Sequence, residues 1–132
     1  MEKTFIMIKP DGVDRKLIGE VIGRIERKGF KINRMELIKA PRDLVEEHYI
    51  EHREKTFFSE LVAYISDKTV LAMEVEGYSA IGIMRLMIGH RDPKEARPGT
   101  IRGDFANNLT ENIIHGSDSK ESAERELDLW FK

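Results

Sequence analysis

Apolar residues are spaced along this chain in blocks that alternate between two periods. Lys3 to Ile8 is a nearly unbroken apolar run and predicts a buried strand, ended by Pro10 and Gly12. From about Asp14, the residues Leu17, Ile18, Val21, Ile22 and Ile25 recur at helical spacing, and Gly29 supplies a stop. Phe30 to Ile38 reads as a second strand. Its alternation slips by one between Phe30/Ile32 and Met35/Leu37, which predicts a bulge. Asp43 to Glu51 predicts a short polar helix, and Phe57, Phe58, Leu61, Val62 and Ile65 an amphipathic one. Val70 to Val75 predicts a central strand. Ile81, Met84, Leu86, Met87 and Ile88 predict a further helix. Gly89 to Thr110 has no periodicity and predicts a long loop, of the kind that is usually functional inside a small domain. Ile113 and Ile114 predict a last short strand. Ser119 or Asp118 then caps a helix running to about Trp130.

Four strands with helices between them predict an α/β sandwich in which helices cover an antiparallel sheet. At 132 residues the chain is long enough for one sizeable core, and we read residues 1–132 as a single domain. Twenty-two basic residues against 24 acidic give a net charge of -2, which argues against nucleic acid as a partner, so a bound anion must be held by local clusters. With no cysteine, disulfides and thiol chemistry are excluded. The chain has no signal-peptide pattern and no apolar run of membrane length, from which we expect no membrane association and a cytoplasmic location.

The candidate chemistry centres on Asn112-Ile113-Ile114-His115-Gly116-Ser117-Asp118-Ser119. A histidine at a strand end, followed by small residues, is placed to reach a cleft, and a neutral imidazole is a competent nucleophile for a phosphoryl group. Glu126 lies in the last predicted helix, either orienting the imidazole or facing solvent. A hydrolytic triad from Ser117, His115 and Asp118 is a poor reading, because near-adjacent residues seldom converge on one point. Lys9-Pro10-Asp11-Gly12 follows the first strand. Arg85, Arg91, Arg97 and Arg102 surround the long loop; guanidinium forks match phosphate oxygens. Among them we favour Arg102 for phosphate and leave Arg97 solvated. His48 and His52, at i,i+4 spacing, form a possible metal pair, but without a third ligand we read them as solvated and expect no protein-bound metal. Of Phe57 and Phe58, core packing is the better reading for either, with base stacking the alternative.

Together these motifs resemble the nucleoside diphosphate kinase family. The resemblance runs from Thr4–Val13, through Glu47-His48-Tyr49 and Phe57-Phe58, to Pro98–Phe105 and Asn112–Glu124. It implies a ferredoxin-like fold and transfer of a terminal phosphate from a nucleoside triphosphate to a nucleoside diphosphate, by a ping-pong path through a phosphohistidine. By motif match, His115 is the implied nucleophile, supported by Ser117 and Glu126. Lys9, Tyr49, Arg85, Arg102 and Asn112 match phosphate and ribose contacts. Phe57 matches the base-stacking residue, and Leu109 the apolar residue on the other face of the base. The implied cofactor is Mg²⁺ carried on the nucleotide phosphates. One departure stands out: Arg91 occupies the place of a phosphate-contacting threonine. The family assembles as hexamers or tetramers from a common dimer, and many members continue past the position of Lys132 with a tail that packs on a neighbour; a homo-hexamer is the favoured expectation and a tetramer the alternative. Two rivals remain at this stage. One is a non-catalytic nucleotide-binding protein on the same fold, and the other is an RNA-binding module.

Overall fold

The computed structural model describes residues 1–131. Its central strand, β1 (Glu2–Ile8), is fully buried from Thr4 to Ile8. Alternate side chains enter two different cores. Ile6 and Ile8 pack with Val21, Ile25 and Met84 on one face, while Phe5 and Met7 pack with Val45, Val62, Ile65 and Trp130 on the other. A strand buried on both faces loses the polar alternation of a half-exposed one, which is why it reads as a continuous apolar run. The elements that follow are α1 (Pro10–Asp14), α2 (Ile18–Arg27), β2 (Lys31–Lys39), α3 (Arg42–His48), a 3₁₀ turn (Ile50–His52), α4 (Phe58–Ile65), β3 (Thr69–Gly77), α5 (Ala80–Ile88), α6 (Ile101–Phe105), β4 (Ile114–Gly116) and α7 (Lys120–Trp130).

The four strands form one antiparallel sheet in the order β2-β3-β1-β4. The α/β sandwich expected from the pattern is therefore present, with helices on both sheet faces. The slipped alternation in β2 corresponds to a register shift against β3 between Ile32 and Arg34. Among the described residues no helix is long and apolar enough to cross a membrane.

Two segments differ from the sequence expectation. Pro10 does not merely end β1; it occupies the first turn of α1, where its missing N–H costs nothing. The Gly89–Thr110 stretch is not all loop, since it contains α6. That helix has five residues and a glycine inside it, too little for a periodic signal. It is held instead by the side chain of Thr100, which accepts from the Gly103 N–H at 2.9 Å, a cap contributing about 1 kcal/mol, and by fully buried Ile101. Gly103 is obligatory here: a Cβ would sit 1.8 Å from the Arg97 carbonyl oxygen.

The register of β1 with β4 sets up the site. Ile8 faces Ile114 and Met7 faces His115, so Lys9 leaves β1 at the sheet end where Asn112 and Ile113 enter β4.

Candidate active site

The chain enters β4 through a strained turn. Ile113 has φ +76°, and the Ile114 N–H donates to the Asn112 carbonyl at 2.9 Å, closing a γ-turn around a β-branched residue. A conformation of this kind costs about 1–3 kcal/mol and persists only where its surroundings impose it. They do so at three points. The Ile113 N–H donates to Asp11 Oδ2 at 3.0 Å, its carbonyl accepts from the Lys9 N–H at 2.8 Å, and its side chain is fully buried. Asp11 is itself held by the Tyr64 hydroxyl, 2.7 Å from Oδ1. Gly12 lets α1 approach this turn, because a Cβ there would meet the Ile113 oxygen at 2.9 Å.

The turn delivers Asn112 and His115 to opposite ends of a short ledge. Asn112 is buried. Its Oδ1 accepts from Lys9 Nζ at 2.8 Å, and its amide donates to the carbonyls of Arg91 and Leu109, both at 3.1 Å. Both amide hydrogens are thus committed, and only a lone pair on Oδ1 remains for a ligand hydroxyl. His115 Nε2 lies 2.9 Å from Glu126 Oε1, and Ser117 Oγ donates to the same oxygen at 2.7 Å. Burial pushes the Glu126 carboxyl up. The hydrogen bonds from His115 and Ser117 and the neighbouring imidazoles outweigh it, so its pKa is lowered on balance. An ionised Glu126 only accepts, which puts the His115 proton on Nε2 and leaves Nδ1 with a free lone pair.

Around the ledge is a cleft of ≈ 960 Å³ whose lining includes the cations Lys9, Arg85, Arg91 and Arg102, with Lys55 and Arg125 farther round the wall. Lys9 has its pKa lowered to about 7, first by burial and then by Arg102, with Asp11 opposing. Arg102 donates to the carbonyls of Asn112, Gly89 and Ile114. Its pKa is lowered to about 10 by burial and by the charge of Arg85. Cations that depress one another in a partly desolvated cleft are held at a cost that a bound anion relieves. Tyr49 is buried with its hydroxyl unpartnered, and burial raises its pKa, so it stays a neutral donor at the cleft wall.

Farther out, Phe57 and Leu109 line the mouth, Leu109 being 59% exposed. The core reading holds for Phe58 and is corrected for Phe57. Phe58, the first residue of α4, packs against the core, whereas Phe57 precedes the helix and lines the cleft, with Lys55 Nζ 5.6 Å from its ring centroid. The solvated reading of His48 is also overturned. It is 2% exposed and accepts from the Trp130 indole at 3.0 Å. It does not pair with His52, whose ring lies against Phe57. Of the other site candidates, Ser117 and Glu126 lie behind His115, and Arg97 is exposed. Sequence reasoning missed Asp11 and Tyr64 as supports of the turn. Asp11 looked like an ordinary turn residue, and nothing in the spacing links it to a tyrosine 53 positions away.

Comparison with known proteins places this geometry in context. The profile of the family described as nucleoside diphosphate kinase matches residues 2–132. A nucleoside diphosphate kinase of Exiguobacterium sibiricum is 58% identical over 132 residues, covering 100% of this chain and 96% of that protein. One from Archaeoglobus fulgidus is 56% identical, covering 99% and 87%. Among solved structures, the apo nucleoside diphosphate kinase of Encephalitozoon cuniculi superposes with a TM-score of 0.97 at 44% identity, covering 99% of this chain and 89% of that one. That of Halobacterium salinarum in complex with CDP gives 0.96 at 45% identity, covering 99% and 88%.

Proposed function

This chain belongs to the nucleoside diphosphate kinase family, and from that premise we propose that His115 carries the phosphoryl group between donor and acceptor. The reaction is the family's: the terminal phosphate of a nucleoside triphosphate passes to a nucleoside diphosphate through a histidine. The observation that carries the assignment is the Glu126–Nε2 contact, which leaves His115 Nδ1 bare in a cleft lined by Lys9, Arg85 and Arg102. In the first half-reaction the Nδ1 lone pair forms a bond to the terminal phosphorus. The bond from that phosphorus to the bridging oxygen breaks, and the diphosphate leaves with the electron pair. The imidazole retains its Nε2 proton and gains positive character, which Glu126 balances. The second diphosphate reverses the step. Such a transfer needs positioning and charge neutralisation more than covalent help.

In this reading Lys9, Tyr49, Arg85 and Arg102 bind phosphate oxygens, and Asn112 accepts a ribose hydroxyl on Oδ1. Mg²⁺ carried on the nucleotide would supply neutralisation of phosphate charge alongside these residues. The donor set supports this. Among the described residues the one three-ligand cluster is His48, His115 and Glu126, which includes the nucleophile itself, and the carboxylates Glu51, Glu60 and Asp118 that also line the cleft belong to no such cluster. The test is direct. Protein incubated with γ-labelled ATP and Mg²⁺ is expected to retain label after isolation and to surrender it to added diphosphate. Absence of retained label would favour a non-catalytic nucleotide-binding role. The reading takes residues 1–132 as one domain acting in the cytoplasm.

Two predictions concern the cleft mouth. Phe57→Ala is expected to weaken nucleotide binding by about 1–3 kcal/mol, the usual loss of a stacking platform, and by similar amounts for purine and pyrimidine diphosphates. The Halobacterium salinarum relative is solved in complex with CDP, so a cytidine diphosphate belongs among the nucleotides tested. Titration calorimetry with four diphosphates checks this. If loss is confined to one base, the pocket reads base edges. Arg91 is exposed at the cleft rim, near enough for its charge to help lower the Arg102 pKa, and its carbonyl anchors Asn112. Arg91→Ala retains that carbonyl, so any change reports the guanidinium alone. A phosphate contact predicts a loss of about 1.5–3 kcal/mol in transition-state stabilisation with triphosphate. Unchanged kcat/KM would assign Arg91 to solvent.

For assembly, we propose a homo-hexamer, with a tetramer as alternative. Apolar Met35 and Leu37 on the edge strand β2 and Leu86 on α5 are 53%, 59% and 77% exposed, as expected of surfaces that subunits cover. Sedimentation at micromolar concentration is expected to give a mass several times 15.3 kDa, and the mass of one chain would refute this.

A further inference from the structure

The site contains a second imidazole for which the transfer chemistry above has no use. His48, at the end of α3, is buried beside His115, with ring centroids 4.6 Å apart and planes at 77°. A ring nitrogen of each histidine and a carboxylate oxygen of Glu126 lie within 4.8 Å of one another. The Trp130 indole N–H donates to His48 Nδ1 at 3.0 Å. An indole nitrogen is only a donor, so Nδ1 must offer its lone pair, and a neutral ring then carries its proton on Nε2. Burial first, and then the charge of His115, pull the His48 pKa well below the ordinary histidine range, so the ring stays neutral. Nε2 is buried without a hydrogen-bond partner. The two nitrogens point to nearly opposite sides of an imidazole, so the Nε2–H is directed away from Trp130. The same tautomer argues against a metal ion in the cluster, because a metal would need the lone pair that the proton occupies.

We propose that His48 is a positioning residue for the His115 nucleophile, fixed by the Trp130 indole as the Nε2–H tautomer so that its ring braces the His115 ring at right angles. Glu126 fixes one nitrogen of His115 but leaves the ring free to tilt about that hydrogen bond. A rigid perpendicular ring at 4.6 Å removes that freedom and keeps Nδ1 aimed into the cleft. His48 is rigid in turn. Trp130 holds its nitrogen, and Phe5, itself stacked on Trp130 at 5.4 Å, packs against it at 5.7 Å. The C-terminal end of α7 thus takes part in aiming the nucleophile without touching substrate.

The inference rests on His115 being the phosphoryl acceptor, and the experiment separates the two. Long-range ¹H–¹⁵N correlation of the wild-type imidazoles is expected to show His48 protonated on Nε2 and bare on Nδ1. Trp130→Phe, which keeps the aromatic packing on Phe5, is expected to lose that fixed pattern. Protonation of wild-type His48 on Nδ1, or on both nitrogens, overturns the proposal. Single-turnover phosphorylation by ATP·Mg²⁺ supplies the functional arm. His48→Phe is expected to slow labelling of His115 at saturating ATP by about tenfold to a hundredfold, as misaimed groups do, with KM nearly unchanged. His48→Gln, which keeps an acceptor for the Trp130 indole but has no ring, is expected to remain slow, and recovery of the wild-type rate in it overturns the bracing role. Labelling of His48→Phe at the wild-type rate overturns the positioning role. Should His48→Phe fail to fold, the wild-type and Trp130→Phe measurements still decide. Label on a residue other than His115 would instead sink the reading of the nucleophile and leave the tautomer result standing.

Discussion

His115→Ala is expected to abolish the phosphoenzyme and to lower phosphoryl transfer by about 10⁴–10⁶-fold, the scale seen when a nucleophile is removed. Wild-type protein treated with ATP and Mg²⁺ should acquire label that survives alkali and is lost in acid, as a P–N bond requires. Initial rates with both substrates varied should give parallel double-reciprocal lines, because donor and acceptor use the site in turn. The variant should still fold, since His115 is partly exposed and no core cluster includes it. His52→Ala and His90→Ala should keep both label and transfer, since neither ring reaches Glu126. Substantial transfer by folded His115→Ala would mean that phosphate passes directly between nucleotides, which is incompatible with the mechanism proposed here.

The second large effect pairs a loss of activity with a gain in stability. Lys9→Met is expected to lower kcat/KM by about 10²–10³-fold, the usual loss when one charge-stabilising donor is removed. The same change should make the nucleotide-free protein more stable at neutral and acidic pH. Burial lowers the Lys9 pKa from 10.5 to about 7. Between these values the unfolded chain holds a proton that the folded chain does not, so stability rises with pH across that window. Below about pH 7 both states are protonated and the full penalty of the buried charge applies. Each pKa unit corresponds to about 1.4 kcal/mol, partly offset by about 1 kcal/mol from the Asn112 Oδ1 bond lost in the variant. Urea unfolding of both proteins checks this. The stability advantage of Lys9→Met should be largest near pH 6 and shrink towards pH 10. A difference independent of pH would show that Lys9 is not desolvated. Bound diphosphate, by supplying an anion, should erase the advantage through its own linkage to wild-type folding.

The strands and longer helices were legible because their burial is written in period. β1 is apolar throughout since both its faces are covered, and β3 shares that burial from Val70 to Met73. The slip in β2 was visible because a bulge moves side chains to the other face of a sheet. The short helix α6 and the first turn α1 were not legible; five residues cannot display a helical period, and what holds them is a cap and buried contacts. At the site, His115 stood out by its neighbours and Arg102 by its loop. Both lie in one contiguous motif or beside a glycine and proline that mark special geometry. Phe57 and Phe58 could not be told apart, because adjacent residues with identical side chains differ here only in which one precedes the helix.

The sequence by itself therefore determined the antiparallel α/β architecture, the family, and which histidine and cationic neighbours are the candidates for the site. Each of these is carried by local pattern or by residues close together in the chain. Only the tertiary structure decided what surrounds that histidine. Asp11 reaches Ile113 across 102 positions and Trp130 reaches His48 across 82. Lys9 owes its depressed pKa to burial beside Arg102, a neighbour supplied by the distant helix α6. Desolvation, tautomer choice and backbone strain are properties of an environment assembled from several elements, and no single stretch of chain contains them.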